Sequence, residues 1–383
     1  MRLALFSLLF IPNAANAANL LVAPGGSGTV YPTINAAIAA AAPNDRIIIA
    51  PAVYNESLSI NKSLELASNS GSERFTVSGT VGFSSTSANT RITIIGMNAQ
   101  GLVSATSSAG AGSVFTLAGC RTADIEVLNG QGRTVLEKDS IFGNVMIDRG
   151  DVIGCVVTGK PGALGIYVSG DFQPPIVNRV IGNDVGSAMT STSFSPIAIW
   201  ADAPFVCENN LLRLNMPTSN AFPLIILNQL TSTTVTCTIR NNTFLCPNLT
   251  GIYLIKVEET DPTFSLDIRN NLFVGPGLVD PIWVLPGSNT TEGYNILTTT
   301  LSSVQLANGA PTAGSPAINA GDPGVEFTDL DLSRNDAGCY GGSFSRDNFD
   351  DPLPTTAIVG IVNAPRRTQA ALSVPITADG FDR

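Results

Sequence analysis

The sequence predicts an all-β fold, a right-handed parallel β-helix solenoid with an N-terminal capping helix. Charged residues make up only 13% of the chain and glycine contributes 36 residues, as expected for many short strands joined by turns. Apolar residues fall in short runs bounded by turn residues. A pattern that contains asparagine also recurs at steps of 27, 32 and 29 residues, which indicates one repeating structural unit.

The first residues have the features of an export signal. Arg2 gives a positive start, residues 3–11 are nearly all apolar, and Ala15-Asn16-Ala17 matches a small-residue cleavage site. The apolar run is too short to span a bilayer, and no later segment is long and apolar enough to do so. We therefore predict a signal peptide over 1–17 and a secreted, periplasmic or cell-surface protein. A buried first strand is the alternative interpretation of the apolar run.

A short helix is predicted before the first full turn of the solenoid. Thr33 can cap it, and Ile34, Ala37, Ile38 and Ala41 share one face. The run Arg46–Ala50 follows as a buried strand. Such a helix would cover the apolar open end of the solenoid and discourage edge pairing.

The recurring pattern places one asparagine at an equivalent position in each repeat. The equivalent residues are Asn183, Asn210, Asn242 and Asn271. Asparagine tolerates left-handed turns, and stacked amides can hydrogen-bond along a solenoid. We interpret this row as scaffolding, although a polar active-site row would give a similar pattern.

Motifs at both ends resemble those of pectin-lyase-like β-helix proteins. The opening carries Tyr-Pro-Thr-Ile-Asn-Ala-Ala-Ile at 31–38 and Ile-Ile-Ile-Ala-Pro-Ala-Val-Tyr-Asn-Glu at 47–56. The segments 315–323 and 329–342 resemble the ends of extracellular bacterial β-helix proteins. The resemblance covers residues 20–342 as architecture. It implies export, a parallel β-helix, and for many members an action on polysaccharides or binding to them, but it transfers no reaction.

Charge and cysteine content limit the partners. The formal charge is −10 and becomes −11 when the leader with Arg2 is removed, so nucleic acid and anionic membranes are not expected partners. An acidic polysaccharide would need a bridging cation or a local basic patch. The six cysteines permit disulfides, including a Cys237–Cys246 loop, or buried thiols stacked in the solenoid.

A second set of aligned segments predicts a binding surface. One register collects Ile166, Ile199, Ile226, Ile252 and Ile282 as an inward stack, and the next collects Tyr167, Trp200, Leu227, Tyr253 and Trp283 on the outer face. Flat rings with polar edges suit sugars. The predicted substrate-binding residues are Tyr167, Trp200, Asp202, Gln229, Tyr253, Lys256, Glu258 and Trp283.

Three alternatives to a sugar-binding face remain. Loops or the tail could cover the outer row, the register could be inverted so that the aromatic residues are core, or a protein partner could use the same surface.

Catalytic candidates are restricted to charged residues. The chain has no histidine, which removes the usual general base and the commonest zinc ligand. Ala52 replaces the usual glycine of a motif similar to the first pectinesterase motif. A lyase that uses Arg or Lys with calcium would have to use the cluster Lys138, Asp139, Asp148, Arg149, Asp151 and Lys160. Solvated turns are the alternative interpretation of this cluster.

A late acidic group is the candidate calcium site. It comprises Asp322, Asp329, Asp331 and Asp336, whose spacing is not that of an EF-hand, and turn formation explains the same residues. No cofactor other than calcium is indicated.

The domain prediction divides the mature chain at residue 342. Residues 18–342 form the β-helix with its cap, and 343–383 form a tail that caps the last turn or joins another subunit. The leading function is polysaccharide binding at the extracellular surface. The alternatives are a cation-assisted polysaccharide lyase or hydrolase, and a structural filament or adhesin that self-associates through the tail.

Overall fold

The computed structural model describes most of the chain after residue 16. The described residues are 17–84, 87–105, 109–128, 132–159, 165–168, 177–187, 199–201, 204–214, 223–227, 236–248, 253–258, 265–349, 358–363 and 377–381. The predicted cleavage site up to Asn16, and the site candidates Lys160, Asp202 and Gln229, lie outside these residues.

Three long parallel sheets, here called A, B and C, form the body of the molecule. The strands of sheet A in chain order are β1 Asn19–Val22, β2 Val30–Tyr31, β3 Arg46–Ile49, β6 Leu64–Ser68, β9 Arg91–Ile95, β12 Val114–Ala118, β15 Arg133–Glu137, β18 Gly150–Ile153, β21 Asn178–Ile181, β24 Phe205–Glu208, β27 Thr236–Arg240, β30 Ser265–Arg269 and β33 Thr290–Gly293.

Sheets B and C are built in the same way. Sheet B contains β4 Val53–Tyr54, β7 Phe75–Val77, β10 Met97–Ala99, β13 Arg121–Thr122, β16 Ser140–Ile141, β19 Val156–Val157, β22 Asp184–Ser187, β25 Leu211–Leu214, β28 Thr243–Leu245, β31 Leu272–Val274 and β34 Ile296–Thr298. Sheet C contains β5 Leu58–Ile60, β8 Val81–Phe83, β11 Val103–Ala105, β14 Ile125–Val127, β17 Val145–Ile147, β20 Ile166–Val168, β23 Ile199–Ala201, β26 Ile225–Leu227, β29 Ile255–Val257 and β32 Ile282–Val284.

Consecutive strands from β3 to β34 belong to sheets A, B and C in turn. Each set of three strands is one rung, and each strand pairs in parallel with its equivalent in the next rung, about 4.8 Å away. Parallel connections in one sheet are right-handed because of the strand twist. The predicted right-handed parallel β-helix, and the resemblance that implied it, are confirmed at the level of fold.

The core lies inside the three sheets. Alternate strand residues point inward, so branched aliphatic residues stack from rung to rung. Two stacked phenylalanine pairs fill it, Phe83 with Phe115 and Phe244 with Phe273, and the ring centroids in each pair lie 4.7 Å apart. This continuous apolar interior is the main source of stability, since burial of apolar area dominates folding.

The predicted capping helix is present as α1, Ile34–Ala40. Thr33 is its N-cap and accepts a hydrogen bond from the Ala36 backbone N–H at 3.2 Å. The Glu56 carboxylate accepts the N–H groups of Ile34 and Asn35 at 2.8 and 3.0 Å, which satisfies two further donors of the helix start. Ile34, Ala37 and Ile38 are buried, so α1 covers the N-terminal end of the core.

A short connection joins sheet A to sheet B in nine successive rungs; it is the single residue Gly96 in the first of them and two residues long in the other eight. Its first residue always has a positive φ, which glycine and asparagine adopt most readily. These residues are Gly96, Gly119, Lys138, Gly154, Gly182, Asn209, Asn241, Asn270 and Tyr294. The residue that follows the positive-φ residue points inward and forms a column of Met97, Cys120, Asp139, Cys155, Asn183, Asn210, Asn242, Asn271 and Asn295. We call this column the ladder.

The ladder asparagines make one repeated pair of bonds. The Oδ1 of Asn242, for example, accepts the Asn210 backbone N–H at 3.0 Å, and its Nδ2 donates to the Cys207 carbonyl at 3.0 Å. Equivalent bonds join Asn183, Asn210, Asn271 and Asn295 to the rung before each. The predicted asparagine scaffold is therefore confirmed.

The cysteines are buried thiols. All six are free and buried, so the structure favours stacked thiols over the Cys237–Cys246 disulfide. Two belong to the ladder, where Cys120 Sγ contacts the Ile94 carbonyl and Cys155 Sγ contacts the Leu136 carbonyl, each at 3.5 Å. Burial raises the pKa of Cys120 and of Cys237 to about 12, so these thiols stay protonated and unreactive.

After the last parallel strand, which ends at Thr298, the chain folds back along the outside of the solenoid. We call residues 299–349 the return segment. It contains three short 3₁₀ helices, Leu301–Ser303, Val325–Phe327 and Arg346–Asn348. A second buried cluster forms between it and the outer face of sheet B, from Leu211, Leu245, Leu272 and Val274 on the sheet and Val304, Ala317, Ala337 and Cys339 on the segment.

The return segment reaches the middle of the solenoid. Phe349 lies against Gly154 and Gly182, where a Cβ would clash with its ring. Beyond it, strands β35 Ile358–Asn363 and β36 Thr377–Phe381 pair as an antiparallel hairpin. None of the helices among the described residues is long and apolar enough to cross a membrane.

Candidate functional site

The outward-facing positions of sheet C form one continuous column, which we call the outer column. In order along the solenoid it consists of Ser59, Gly82, Ser104, Glu126, Met146, Tyr167, Trp200, Ile226, Lys256 and Trp283. The first four are small or polar. From Met146 onward the column carries large side chains, each partly accessible to solvent.

Two aromatic pairs lie on this part of sheet C. The rings of Tyr167 and Trp200 meet edge to face with centroids 5.8 Å apart. The second pair is Tyr253 and Trp283, with centroids 6.3 Å apart and a tilted arrangement. Aromatic pairs at such distances prefer these offset or edge-on geometries.

A charged pair adjoins the second aromatic pair. The Lys256 ammonium lies 5.6 Å from the centre of the Trp283 ring and 2.5 Å from a Glu258 carboxylate oxygen. Both charged side chains are about one-third exposed, so the ion pair contributes little to stability. Together these residues offer ring faces, one ammonium and one carboxylate on a single surface.

The predicted register is correct for three rungs and wrong for two. Tyr167, Trp200 and Trp283 face outward as expected, but Leu227 is buried and Ile226 takes the outer position. In the next rung Lys256, not Tyr253, occupies the outer column, because Ile255 and Val257 point into the core. Tyr253 precedes the strand and is 41% exposed. It still reaches Trp283, so the predicted aromatic residues remain on one surface.

The inward stack shifts accordingly. Its members in these rungs are Ile225 and Ile255, both fully buried, where the sequence suggested Ile226 and Ile252. A shift by an odd number of residues, one at Ile225 and three at Ile255, moves every side chain of a strand to the other face. Of the predicted polar neighbours, Lys256 and Glu258 lie beside the aromatic residues, while Asp202 and Gln229, like Ile252, lie outside the described residues.

The charged catalytic candidates that lie within the described residues do not converge on one groove. Lys138 lies in the turn that follows β15, at the end of sheet A next to sheet B. Asp148 and Arg149 precede β18, at the opposite end of the sheet A strands. The four residues of β18 separate these two ends by roughly 13 Å. Lys160, the remaining candidate, is not among the described residues.

Asp151 is held in a buried ion-pair cluster. Arg179 binds it through two bonds of 2.9 and 2.7 Å, and Arg133 forms a further short ion pair with it. Burial alone would raise the pKa of Asp151, but the hydrogen bonds and charges of the two arginines outweigh burial and lower it. The carboxylate is therefore ionised and fully engaged, which suits a structural role.

Asp139 belongs to the ladder and not to a surface cluster. Its side chain is buried, and its Oδ1 accepts the Cys120 backbone N–H at 2.6 Å, as each asparagine does in its own rung. Its Oδ2 has no hydrogen-bond partner among the described residues. Burial is the main cause that raises its pKa well above the ordinary value, and the neighbouring charge of Glu137 adds to it.

Each aspartate of the candidate calcium site already forms an ion pair or accepts a hydrogen bond within the protein. Asp322 pairs with Arg269 at 2.7 Å, and Asp336 accepts the Asn319 backbone N–H at 2.6 Å. Asp329 accepts the N–H of Gly342 at 2.5 Å, and Asp331 accepts that of Ser333 at 2.9 Å. Burial raises the pKa of Asp329 to about 6.

No group of three or more Asp, Glu, Cys or His side chains in the described part of the chain is arranged to hold a metal ion. The bonds seen at the four aspartates are an ion pair with Arg269 and hydrogen bonds from backbone N–H groups of the return segment.

A row of arginines on the outer face of sheet A was not predicted from the sequence. Arg240 and Arg269 share Asp267, and the Phe327 ring of the return segment lies 5.3 and 5.2 Å from their guanidinium carbons. The repeat alignment held the signal, because both arginines stand two residues before a ladder asparagine. These contacts fasten the return segment to sheet A.

Comparisons with known proteins add one similarity. No protein-family model matches the chain, and no curated protein matches it. Among solved structures, the chain is similar to the crystal structure of pectate lyase Pel9A, with 16% sequence identity and a TM-score of 0.41 over 84% of this chain and 96% of that chain. The assignment of a parallel β-helix rests on the three sheets of this chain.

Proposed function

We propose that this protein binds an extracellular polysaccharide through the outer column of sheet C. The observation that carries the proposal is the run of large side chains on successive rungs, Tyr167, Trp200, Ile226, Lys256 and Trp283. Sugar rings bind to aromatic faces through their C–H groups, and their hydroxyls need polar partners nearby. Lys256 and Glu258 supply such partners.

The spacing of the column suits a polymer. Rungs repeat about every 4.8 Å, so a chain lying along the solenoid would meet one side chain per rung. Trp200 and Trp283 are three rungs apart, or about 14 Å. A ligand that spans both must therefore contain several sugar units, and a single monosaccharide should bind weakly.

The net charge favours a neutral polymer. The protein carries a formal charge of −10, and an anionic polysaccharide would be repelled at low salt. The charges beside the aromatic residues, Lys256 and Glu258, neutralise each other. We therefore expect retention on neutral polysaccharides first.

The test is a panel of polysaccharides incubated with the mature protein, with and without calcium. Retention of the protein on a polymer and the appearance of new reducing or unsaturated ends are recorded together. We expect retention without new ends, independent of calcium. New ends would replace binding with an enzymatic activity, and the absence of retention on every polymer would contradict the proposal.

A further inference from the structure

The outer column of sheet C carries one cation. Lys256 is the only lysine or arginine in the column, and its neighbours on the adjacent rungs are the uncharged side chains of Ile226 and Trp283. The other charged residue of the column, Glu126, lies five rung steps away, or about 24 Å. Salt screens a charge at that distance. The charge that a ligand meets beside the second aromatic pair is therefore set by Lys256 and by its partner.

Glu258 is the partner of Lys256. It directly follows β29, and its backbone N–H donates to the Leu227 carbonyl at 2.9 Å, which extends the pairing of the strand by one residue. Val257 between the two charged residues is buried, so both charged side chains point outward. The ammonium and a carboxylate oxygen lie 2.5 Å apart, and both side chains are about one-third exposed. A ligand on this surface can therefore reach either group.

Stability does not explain the ion pair. A pair of partly exposed side chains contributes little to the free energy of unfolding, because solvent screens it and ordering two long side chains costs entropy. The Trp283 ring centre lies 5.6 Å from the Lys256 ammonium, and a cation–π contact leaves the positive charge uncancelled. The Glu258 carboxylate cancels that charge. The main consequence of the pair is therefore electrostatic, since it makes a cationic surface locally neutral.

We propose that Glu258 is a specificity-determining residue that makes this surface reject carboxylated polysaccharides. The inference rests on the proposed function. A sugar carboxylate could bind Lys256 only by displacing Glu258, and it would then lie beside a second carboxylate, where like charges repel. Neutral sugars avoid this repulsion, because their hydroxyls can donate to Glu258 and accept from Lys256. A repulsive group that excludes the wrong ligand is a common source of specificity.

The net charge of the protein acts in the same direction but less locally. The formal charge of −10 also disfavours anionic polymers. That charge is spread over the whole chain, and its effect is screened beyond about 8 Å at physiological salt. Glu258 acts at contact distance. A substitution at Glu258 should therefore change the selectivity far more than the same change of charge elsewhere on the surface.

The test compares one polymer in two substituted forms. The probes are a neutral polysaccharide that retains the protein, lightly carboxymethylated in one sample and lightly hydroxyethylated in the other, so that the substituents are similar in size and differ in charge. The measured quantity is the ratio of the affinity for the carboxymethylated form to the affinity for the hydroxyethylated form. We expect the unsubstituted protein to prefer the hydroxyethylated form. In Glu258→Gln the ratio should rise about tenfold, because glutamine keeps the size of the side chain and frees the ammonium.

Two further variants separate the freed ammonium from the lost negative charge. Adding Lys256→Met to Glu258→Gln should remove most of the rise in the ratio. Glu73→Gln makes the same change of net charge at an exposed residue between β6 and β7, and it should leave the ratio unchanged. Unfolding midpoints close to that of the unsubstituted protein show that each variant is folded.

The outcomes distinguish this inference from the proposed function. If the unsubstituted protein is retained on the neutral polymer and Glu258→Gln shows the same ratio, the role of Glu258 is overturned and the sugar-binding surface stands. A preference of the unsubstituted protein for the carboxymethylated form, or an equal rise in Glu73→Gln, would also overturn it. Absence of retention on every polymer would contradict the proposed function, and the inference about Glu258 would fail with it.

Discussion

Asp139 stands where later rungs carry an amide. Each ladder asparagine donates to the carbonyl three residues before the preceding ladder residue, as Asn183 does to Val152 and Asn210 to Val180. The same step from Asp139 leads to the carbonyl of Leu117. An ionised carboxylate would bring acceptor against acceptor there, whereas a protonated acid can donate. Its raised pKa fits the protonated form.

Replacing Asp139 with asparagine should therefore stabilise the protein. We expect a gain of about 1–2 kcal/mol at pH 8, because the amide supplies the missing donor without a proton. The pKa of Asp139 is higher in the folded than in the unfolded protein. The aspartate therefore does not lower the free energy of unfolding below about pH 4, and it lowers that free energy increasingly as the pH rises toward the folded pKa. Urea unfolding of both proteins at pH 4 and pH 8 measures this, and a less stable Asp139→Asn protein at pH 8 would contradict it.

Asn242 should show the opposite behaviour. Its removal by Asn242→Ala leaves the Asn210 N–H and the Cys207 carbonyl without their partner in the core, and we expect a loss of about 3 kcal/mol. Asn98→Ala is the matched control, since the Asn98 side chain donates to the Thr76 hydroxyl on the outer face of sheet B and its removal should cost about 0.5 kcal/mol or less. Equal losses in denaturant unfolding would contradict a special role for the ladder.

The capping helix depends on a residue outside itself. Glu56 approaches α1 from the following rung and accepts two of its first N–H groups. This contact links the cap to the solenoid.

Glu56→Ala should cost about 1 kcal/mol and loosen the cap. Faster amide exchange confined to α1 and its neighbouring strands would report this, together with a lower midpoint of thermal unfolding. Glu126→Ala is the control, because Glu126 is exposed on the outer column and should leave α1 unchanged. Unchanged exchange in Glu56→Ala would show that Thr33 caps the helix without help.

The register of sheet C shows where sequence patterns lose information. In Leu224–Leu227 every residue is apolar, so a period of two gives no preference for either face. In Tyr253–Val257 the tyrosine suggested an outer position, but the charged Lys256 had to face solvent and placed the outer position three residues later. The register of short strands such as Ile166–Val168 was predictable because the aligned strands of other rungs show the same pattern of one outer residue between two apolar ones.

The overall architecture could be predicted from the sequence repeat, whereas the position of the return segment could not. The spacing of Asn183, Asn210, Asn242 and Asn271 fixed the rung length and hence the β-helix. The outer face of sheet B changes from polar residues such as Asn98 to apolar ones such as Leu272, and the return segment covers the apolar part. That packing joins parts of the chain that are distant in sequence, such as Thr243 and Cys339, which local patterns cannot reveal.

The sequence predicted the exposed aromatic residues of the candidate site better than its charged members. Tyr167, Trp200 and Trp283 emerged because aromatic residues between aliphatic ones mark an exposed strand face. Nothing in the sequence indicated that two members of the charged cluster are buried for different structural reasons. Asp139 belongs to the ladder, and Asp151 lies between two arginines. Charge in a sequence does not distinguish a solvated turn from a buried ion pair.

The most direct measurement is the affinity of a retained polysaccharide for Trp200→Ala, Trp283→Ala and the double variant. We expect each single substitution to weaken binding about tenfold, or about 1.4 kcal/mol, with unfolding midpoints close to that of the unsubstituted protein. Phe142→Ala is the matched control, since it removes an exposed ring with an arginine 4.5 Å from its centre on sheet B. Loss of binding only in the tryptophan variants would support the outer column as the binding surface, and full affinity in the double variant would contradict it.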